Sequence, residues 1–200
     1  DLEELKVLLK ETPEHAVIDY LCREGAAPFG AIEEGGYHHY ATYLKRQIQV
    51  EAEEKVPEGK MAKLLYDMYQ PDCAKYAVES DVPQIYELLL ENFDLQADHI
   101  PSEDDLLQIV KEKEVMIYKI GDKIECFFIY RREGKKLYCA FSYNHASADI
   151  LYSIERRVKE IEYEENGIKM HYAWFNAENK KALRRNAWKD TKIRDYIFVK

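Results

Sequence analysis

Residues Lys136–Val158 constrain the fold more than any other stretch of this chain. Leu137–Tyr143 is apolar and aromatic with no Pro or Gly inside, which predicts a strand. Asn144-His145-Ala146-Ser147-Ala148 follows, a turn rich in small residues that lets backbone approach backbone or a ligand. Ile150, Leu151, Ile154, Val158 and Ile161 then recur at helical spacing, opposite Glu155, Arg156, Arg157 and Lys159, and Asn166-Gly167 supplies a C-cap. The start of such a helix carries amides without intrahelical partners, a setting that suits anions. Ile168–Phe175 reads as the next strand. Strand, helix and strand make a crossover unit, and its two strands must run parallel.

The segments around this unit extend the pattern. Lys75–Glu79 reads as a short strand, and Ser80-Asp81 caps a helix over Val82–Asn92. Pro101–Asp105 opens a second helix, Leu106–Glu112, with Ser102 and Asp105 at the capping-box offset. Val115–Ile120 turns at Gly121-Asp122 into Ile124–Tyr130, which turns at Glu133-Gly134-Lys135 into Leu137–Tyr143. Ala177–Asn186 reads as a short basic helix and Tyr196–Val199 as a closing strand. Residues 73–200 are therefore expected to form an α+β domain with an α/β crossover: a mixed, mostly antiparallel sheet flanked by helices.

Residues 1–72 read as an all-helical unit. Leu2, Leu5, Leu8 and Leu9 make one apolar face, and Thr12-Pro13-Glu14 restarts the chain. Ala16, Val17, Tyr20 and Leu21 follow at helical spacing, then a loop over Gly25–Gly36 that contains Pro28. Longer helices are expected over Tyr37–Glu54 and Lys60–Tyr69, and Gln70-Pro71-Asp72 marks the boundary between domains 1–72 and 73–200. His38-His39 lies in this region; neighbours about 100° apart on a helix make no metal site without a third ligand, so no metal is expected.

Charge narrows the partners. The net charge of −9 argues against nucleic acid, and no apolar run approaches the ~20 residues of a membrane span. Residues 1–72 hold 15 acidic and 8 basic side chains, whereas residues 180–200 hold 8 basic and 2 acidic. The basic end is either a solvated helix face or a match for a phosphate-rich ligand. Cys22, Cys73, Cys126 and Cys139 show no paired spacing and read as reduced thiols of a cytoplasmic protein. The chain starts at Asp1, without a Met, so the lack of a secretory pattern there does not exclude a leader.

The order β-α-α-β-β-β-α-β-α-β over about 73–200 resembles the GNAT superfamily of acetyl-CoA-dependent N-acetyltransferases. In that family the fourth strand and following helix carry a pyrophosphate-binding turn, (Gln/Arg)-x-x-Gly-x-(Gly/Ala). It looks matched by Tyr143-Asn144-His145-Ala146-Ser147-Ala148, then Ile150-Leu151. The family's Asn-x-x-Ala is similar to Asn179-Lys180-Lys181-Ala182. Tyr143 and Ala146 depart from the family's basic or amide residue and first glycine, and Asn186 stands where many members have a Tyr that protonates the leaving thiolate.

The resemblance implies an acyltransferase with acetyl-CoA or another acyl-CoA as co-substrate and a small-molecule or peptide amine as acceptor. It implies donor contacts from Phe141, Ser142, Tyr143, Asn144, Ala146, Ser147, Ala148, Asn179, Lys180 and Arg184, with Lys181 and Arg185 also near the phosphates. The turn amides of residues 144–149 are expected to face the pyrophosphate, with Asp149 opposing it unless it is only a first-turn helix residue. His145 and Tyr143 are the catalytic candidates; Ser142, Tyr138 and Tyr172 lie near the same expected cleft. Strand alternation predicts Tyr138, Ala140 and Ser142 on one face and Cys139, Phe141 and Tyr143 on the other. Two alternatives stand beside the enzyme: a module of this fold without catalysis, and an acyltransferase whose donor rides on a carrier protein. The acidic N-terminal region is open to roles as a partner surface, a lid or an oligomer contact.

Overall fold

The computed structural model of the chain describes residues 2–25, 29–52, 55–184 and 188–200. Pro28, Glu54, Arg185 and Asn186, each given a place in the sequence reading, lie outside the described residues, as do the side chains of Leu2 and Leu5. Among the described residues the chain forms eight strands, paired mostly antiparallel, and seven α-helices. It divides into two compact units, both of which draw on either side of residue 72.

The first unit comprises the chain up to Gln47, Asp94–His99 and Trp174–Lys200. Its helices are α1 (Leu2–Glu11), α2 (Phe29–Glu34) and α7 (Lys180–Leu183), the last much shorter than the basic helix expected. The all-helical expectation fails here. Val17–Arg23 is strand β1 and His38–Gln49 is strand β2. Both flank β8 (Lys189–Val199) antiparallel, from Val17↔Val199 to Arg23↔Ile193 and from His38↔Val199 to Gln47↔Lys189. The spacing of Val17, Tyr20 and Leu21 fits a helix, but Ile18, Tyr20 and Cys22 alternate with exposed neighbours at period two, and that period wins. Aromatic and β-branched residues in β8 offer a partner on both sides. One face of this sheet buries Phe198, Tyr37, Ile32 and Leu9 with Phe29, Ile18, Tyr20 and Tyr196. Leu8 points to solvent instead of joining Leu9. His38 and His39, now on a strand, sit on opposite faces, and the His39 ring packs among Phe29, Tyr196 and Phe198.

The second unit comprises Ile48–Phe93 and Ile100–Ala173. Its strands are β3 (Lys75–Tyr76), β4 (Val115–Ile120), β5 (Lys123–Glu133), β6 (Lys136–Asn144) and the first part of β7 (Met170–Asn176). β3–β4, β4–β5 and β5–β6 pair antiparallel, and β6–β7 pairs parallel, as the crossover requires. β5 is buried on both faces. Phe127 and Ile129 meet α4 (Val82–Asn92) and α5 (Glu103–Lys111) through Ile85, Leu89, Leu106 and Ile109. Cys126, Phe128 and Tyr130 meet α6 (Ala148–Asn166) through Ile150, Ile154 and Val158. Ser102 caps α5, its hydroxyl accepting from the Asp105 amide at 3.2 Å. Gly167 ends α6 at φ 63°, the left-handed C-cap that Gly adopts at least cost. A helix over Lys60–Asp67, α3, carries no buried residue and leaves Met61, Leu64 and Met68 in solvent. Among the described residues no helix is long and apolar enough to cross a membrane.

Candidate active site

The site is built on β6 and the turn that leads from it into α6. Two irregularities meet in the middle of the strand. The register with β5 passes from Ile129↔Phe141 to Tyr130↔Cys139, so Ala140 is an extra residue opposite no partner, a β-bulge. The described register with β7 ends at Cys139↔Ala173, while β6 continues through Ala140–Asn144. β6 therefore keeps β5 on one edge and leaves the β7 ladder at the bulge.

The bulge also overturns the alternation expected from sequence. Leu137 and Cys139 pack on the α6 side of the sheet, but Ala140, Phe141 and Tyr143 all pack on the α4–α5 side. One extra residue reverses the facing of everything after it. Phe141 is consequently a core residue, edge-on to Phe93 with ring centroids 5.1 Å apart, and Tyr143 stacks on Phe127 at 5.4 Å. Ser142 remains exposed. Tyr138 stacks on Tyr172 at 5.1 Å, and the Tyr172 hydroxyl donates to Glu133. Burial, followed by that hydrogen bond, pushes the Tyr172 phenol up from its ordinary value.

Past the strand, Glu125 of β5 organises the turn, and sequence reasoning missed it. Its backbone carbonyl accepts the amides of His145 at 2.8 Å and Ala146 at 3.2 Å. Its carboxylate meets His145 Nδ1 at 2.7 Å and Lys123 Nζ at 2.8 Å. Bonds from Lys123 first and His145 second hold the Glu125 carboxyl below the usual carboxylate range. Two of the amides expected to face a pyrophosphate are thus bonded inside the protein. The signal for this was weak but present. Cys126↔Asn144 is the last registered pair, and one more step along the ladder sets Glu125 against His145.

The remaining turn residues take local roles. Asn144 Nδ2 donates to the Ser147 carbonyl at 3.1 Å. Ala146 packs partly on the α6-side core, Ser147 is the N-cap residue without a side-chain cap bond, and Ala148 opens the helix exposed. Asp149 is a first-turn residue, its carboxylate 3.4 Å from Gln70 Nε2. Asn179, Lys180 and Arg184 belong to the other unit. Asn179 caps α7, its side-chain oxygen accepting the Ala182 amide at 3.0 Å, which gives the Asn-x-x-Ala spacing a structural cause; Lys180 and Arg184 are exposed. All four cysteines are free thiols, Cys126 buried and pushed up to about 12 by desolvation first and Cys73 second. Among the described residues no group of three or more His, Cys, Asp or Glu could hold a metal ion.

Comparison with solved structures agrees with this architecture. A GCN5-related N-acetyltransferase from Sphaerobacter thermophilus superposes with a TM-score of 0.63 at 15% identity, over 92% of this chain and 59% of that one. A protein of the GNAT family from Novosphingobium aromaticivorans gives 0.61 at 13% identity, over 100% of this chain and 80% of that one. A tandem GNAT protein from the clavulanic acid biosynthesis pathway gives 0.57 at 7% identity, over 98% and 67%. The chain thus spans about three fifths of the Sphaerobacter protein's length. No family model matches the chain, and no curated protein matches it. The fold is that of the GNAT superfamily.

Proposed function

We propose that the chain is a GNAT-like N-acyltransferase that moves an acetyl or other acyl group from acyl-CoA to the amine of a small molecule or peptide. With four free thiols, its working compartment is reducing, such as the cytoplasm. The observation that carries this reading is the coincidence of the Ala140 bulge with the end of the β6–β7 ladder. A strand that leaves its neighbour has backbone amides and carbonyls to offer a peptide-like pantetheine arm, and an amide aimed at the thioester oxygen would stabilise charge that develops there. In the transfer the amine nitrogen bonds the thioester carbon, the carbon–sulfur bond breaks, and the nitrogen's proton ends on the sulfur.

The turn favours a second reading, a module of this fold that binds but does not turn over. The His145 and Ala146 amides already serve Glu125, and Asp149 brings a carboxylate to the helix start. Thiol release from acetyl-CoA with a panel of primary amines separates the two. Release above the protein-free rate with any amine supports the enzyme; binding of acetyl-CoA without release supports the module. Ala146→Leu tests the turn. A larger side chain in place of the half-buried Ala146 is expected to weaken acetyl-CoA about tenfold, and unchanged affinity would mean that the turn does not hold the donor.

A further inference from the structure

The loop Asp94–His99, which joins α4 to α5 in sequence, is bound by its own chemistry to the sheet of the first unit. At one end, Tyr40 and Tyr43 of β2 donate their hydroxyls to Asp94 and Asp98, each at 2.6 Å. At the other, His99 Nε2 meets Asp19 Oδ2 of β1 at 2.8 Å. Between them Ala97 is buried against Tyr43 and Ile197. The loop is folded on itself as well: the Asp94 side chain accepts the amides of Gln96 and Ala97, and the Asp98 side chain accepts the amide of Asp94. β8 runs between β1 and β2, so the loop straps three strands.

β8 contributes Asp195, opposite Leu21 of β1 and Tyr43 of β2. Its Oδ1 is buried and accepts no hydrogen bond among the described residues. The groups facing it are Asp19 from β1, Tyr43 from β2 and His99 from the loop, whereas Cys22, opposite Arg194, lies on the other face of the sheet. On its own strand, neighbouring Arg194 is committed to Asp190 and Glu24. A neutral carboxyl tolerates this position, but an ionised one has no donor on Oδ1 and a like charge in Asp19. His99 also holds φ +48°, a left-handed conformation that a non-glycine residue keeps only while its surroundings hold it.

We propose that Asp94–His99 is a pH-sensitive latch, docked across β1, β8 and β2 while Asp195 is neutral and loosened as Asp195 ionises. Opening the strap admits water to the orphaned oxygen and separates the loop from Asp19. Burial first and the Asp19 charge second push the Asp195 carboxyl up to about 6, with His99 opposing, which puts the transition at the acidic edge of neutrality. The inference stands on the first unit alone and does not depend on acyl transfer.

Hydrogen exchange of the full chain, followed on a peptide covering residues 94–99 and corrected for intrinsic pH dependence, tests it. The wild type is expected to exchange about tenfold faster at pH 7.5 than at pH 5, roughly the effect of one unit of differential ionisation. Asp195→Asn, close in shape, should keep the low-pH protection at both values. His99→Gln should lose protection already at pH 5. Equal protection of the wild type at both pH values, a pH-dependent loss that survives in Asp195→Asn, or full protection in His99→Gln would each overturn the latch.

Discussion

Two carboxylates respond to pH in opposite directions. Glu125 is depressed below its usual value by Lys123 and His145, so its contribution to stability is present above the ordinary carboxylate range and is lost as pH falls through the depressed value. Urea midpoints at pH 7 and pH 3.5 should therefore differ less in Glu125→Gln than in the wild type. Asp195 is raised to about 6, so the folded state binds a proton there that the unfolded chain has released, and its contribution is lost as pH rises from the ordinary value towards 6. The full shift corresponds to about 3 kcal/mol, and the half-buried position reduces this to about 1 kcal/mol. Asp195→Asn should stabilise the protein by that amount at pH 7.5 and by nothing at pH 3, read from denaturant midpoints. His145 was visible in the sequence because it sits in the turn. Glu125 was not, because its relation to His145 exists only once the β5–β6 register is set.

At the level of elements, the strand–turn–helix of Lys136–Val158 was legible because period two gives way to period 3.6 within a few residues, and the hairpins at Gly121 and Gly134 announced the strands before it. The bulge at Ala140 left no such mark. An extra residue in a strand has no required composition, so the facing of Phe141 and Tyr143 was reversed. β1 and β2 were misread because seven to twelve residues with mixed apolar spacing satisfy both periods, and only the ladders to β8 decide between them. Close packing of α1 on the end of α2 depends on Gly35, where an added Cβ would lie 2.7 Å from Leu9 Cβ. Gly35→Ala should cost about 1–3 kcal/mol through overpacking, measurable by chemical denaturation.

Across the whole molecule, residues distant in sequence complete each other's sheets. β8 is paired by β1 on one edge and β2 on the other, so the first unit depends on both chain ends. A chain that starts at Ile48 should lose hydrogen-exchange protection throughout Lys189–Val199, and retained protection there would contradict this arrangement. Local pattern could not reveal such pairings, since the partners of β1 lie more than 150 residues away. We propose that a strand interrupted by a bulge and parting from its parallel neighbour holds an acyl-CoA donor. Calorimetric titration of the purified protein with acetyl-CoA tests it most directly. A donor held there should bind with a Kd on the order of micromolar. No heat of binding up to roughly millimolar acetyl-CoA, a free energy of only about −4 kcal/mol, would contradict it.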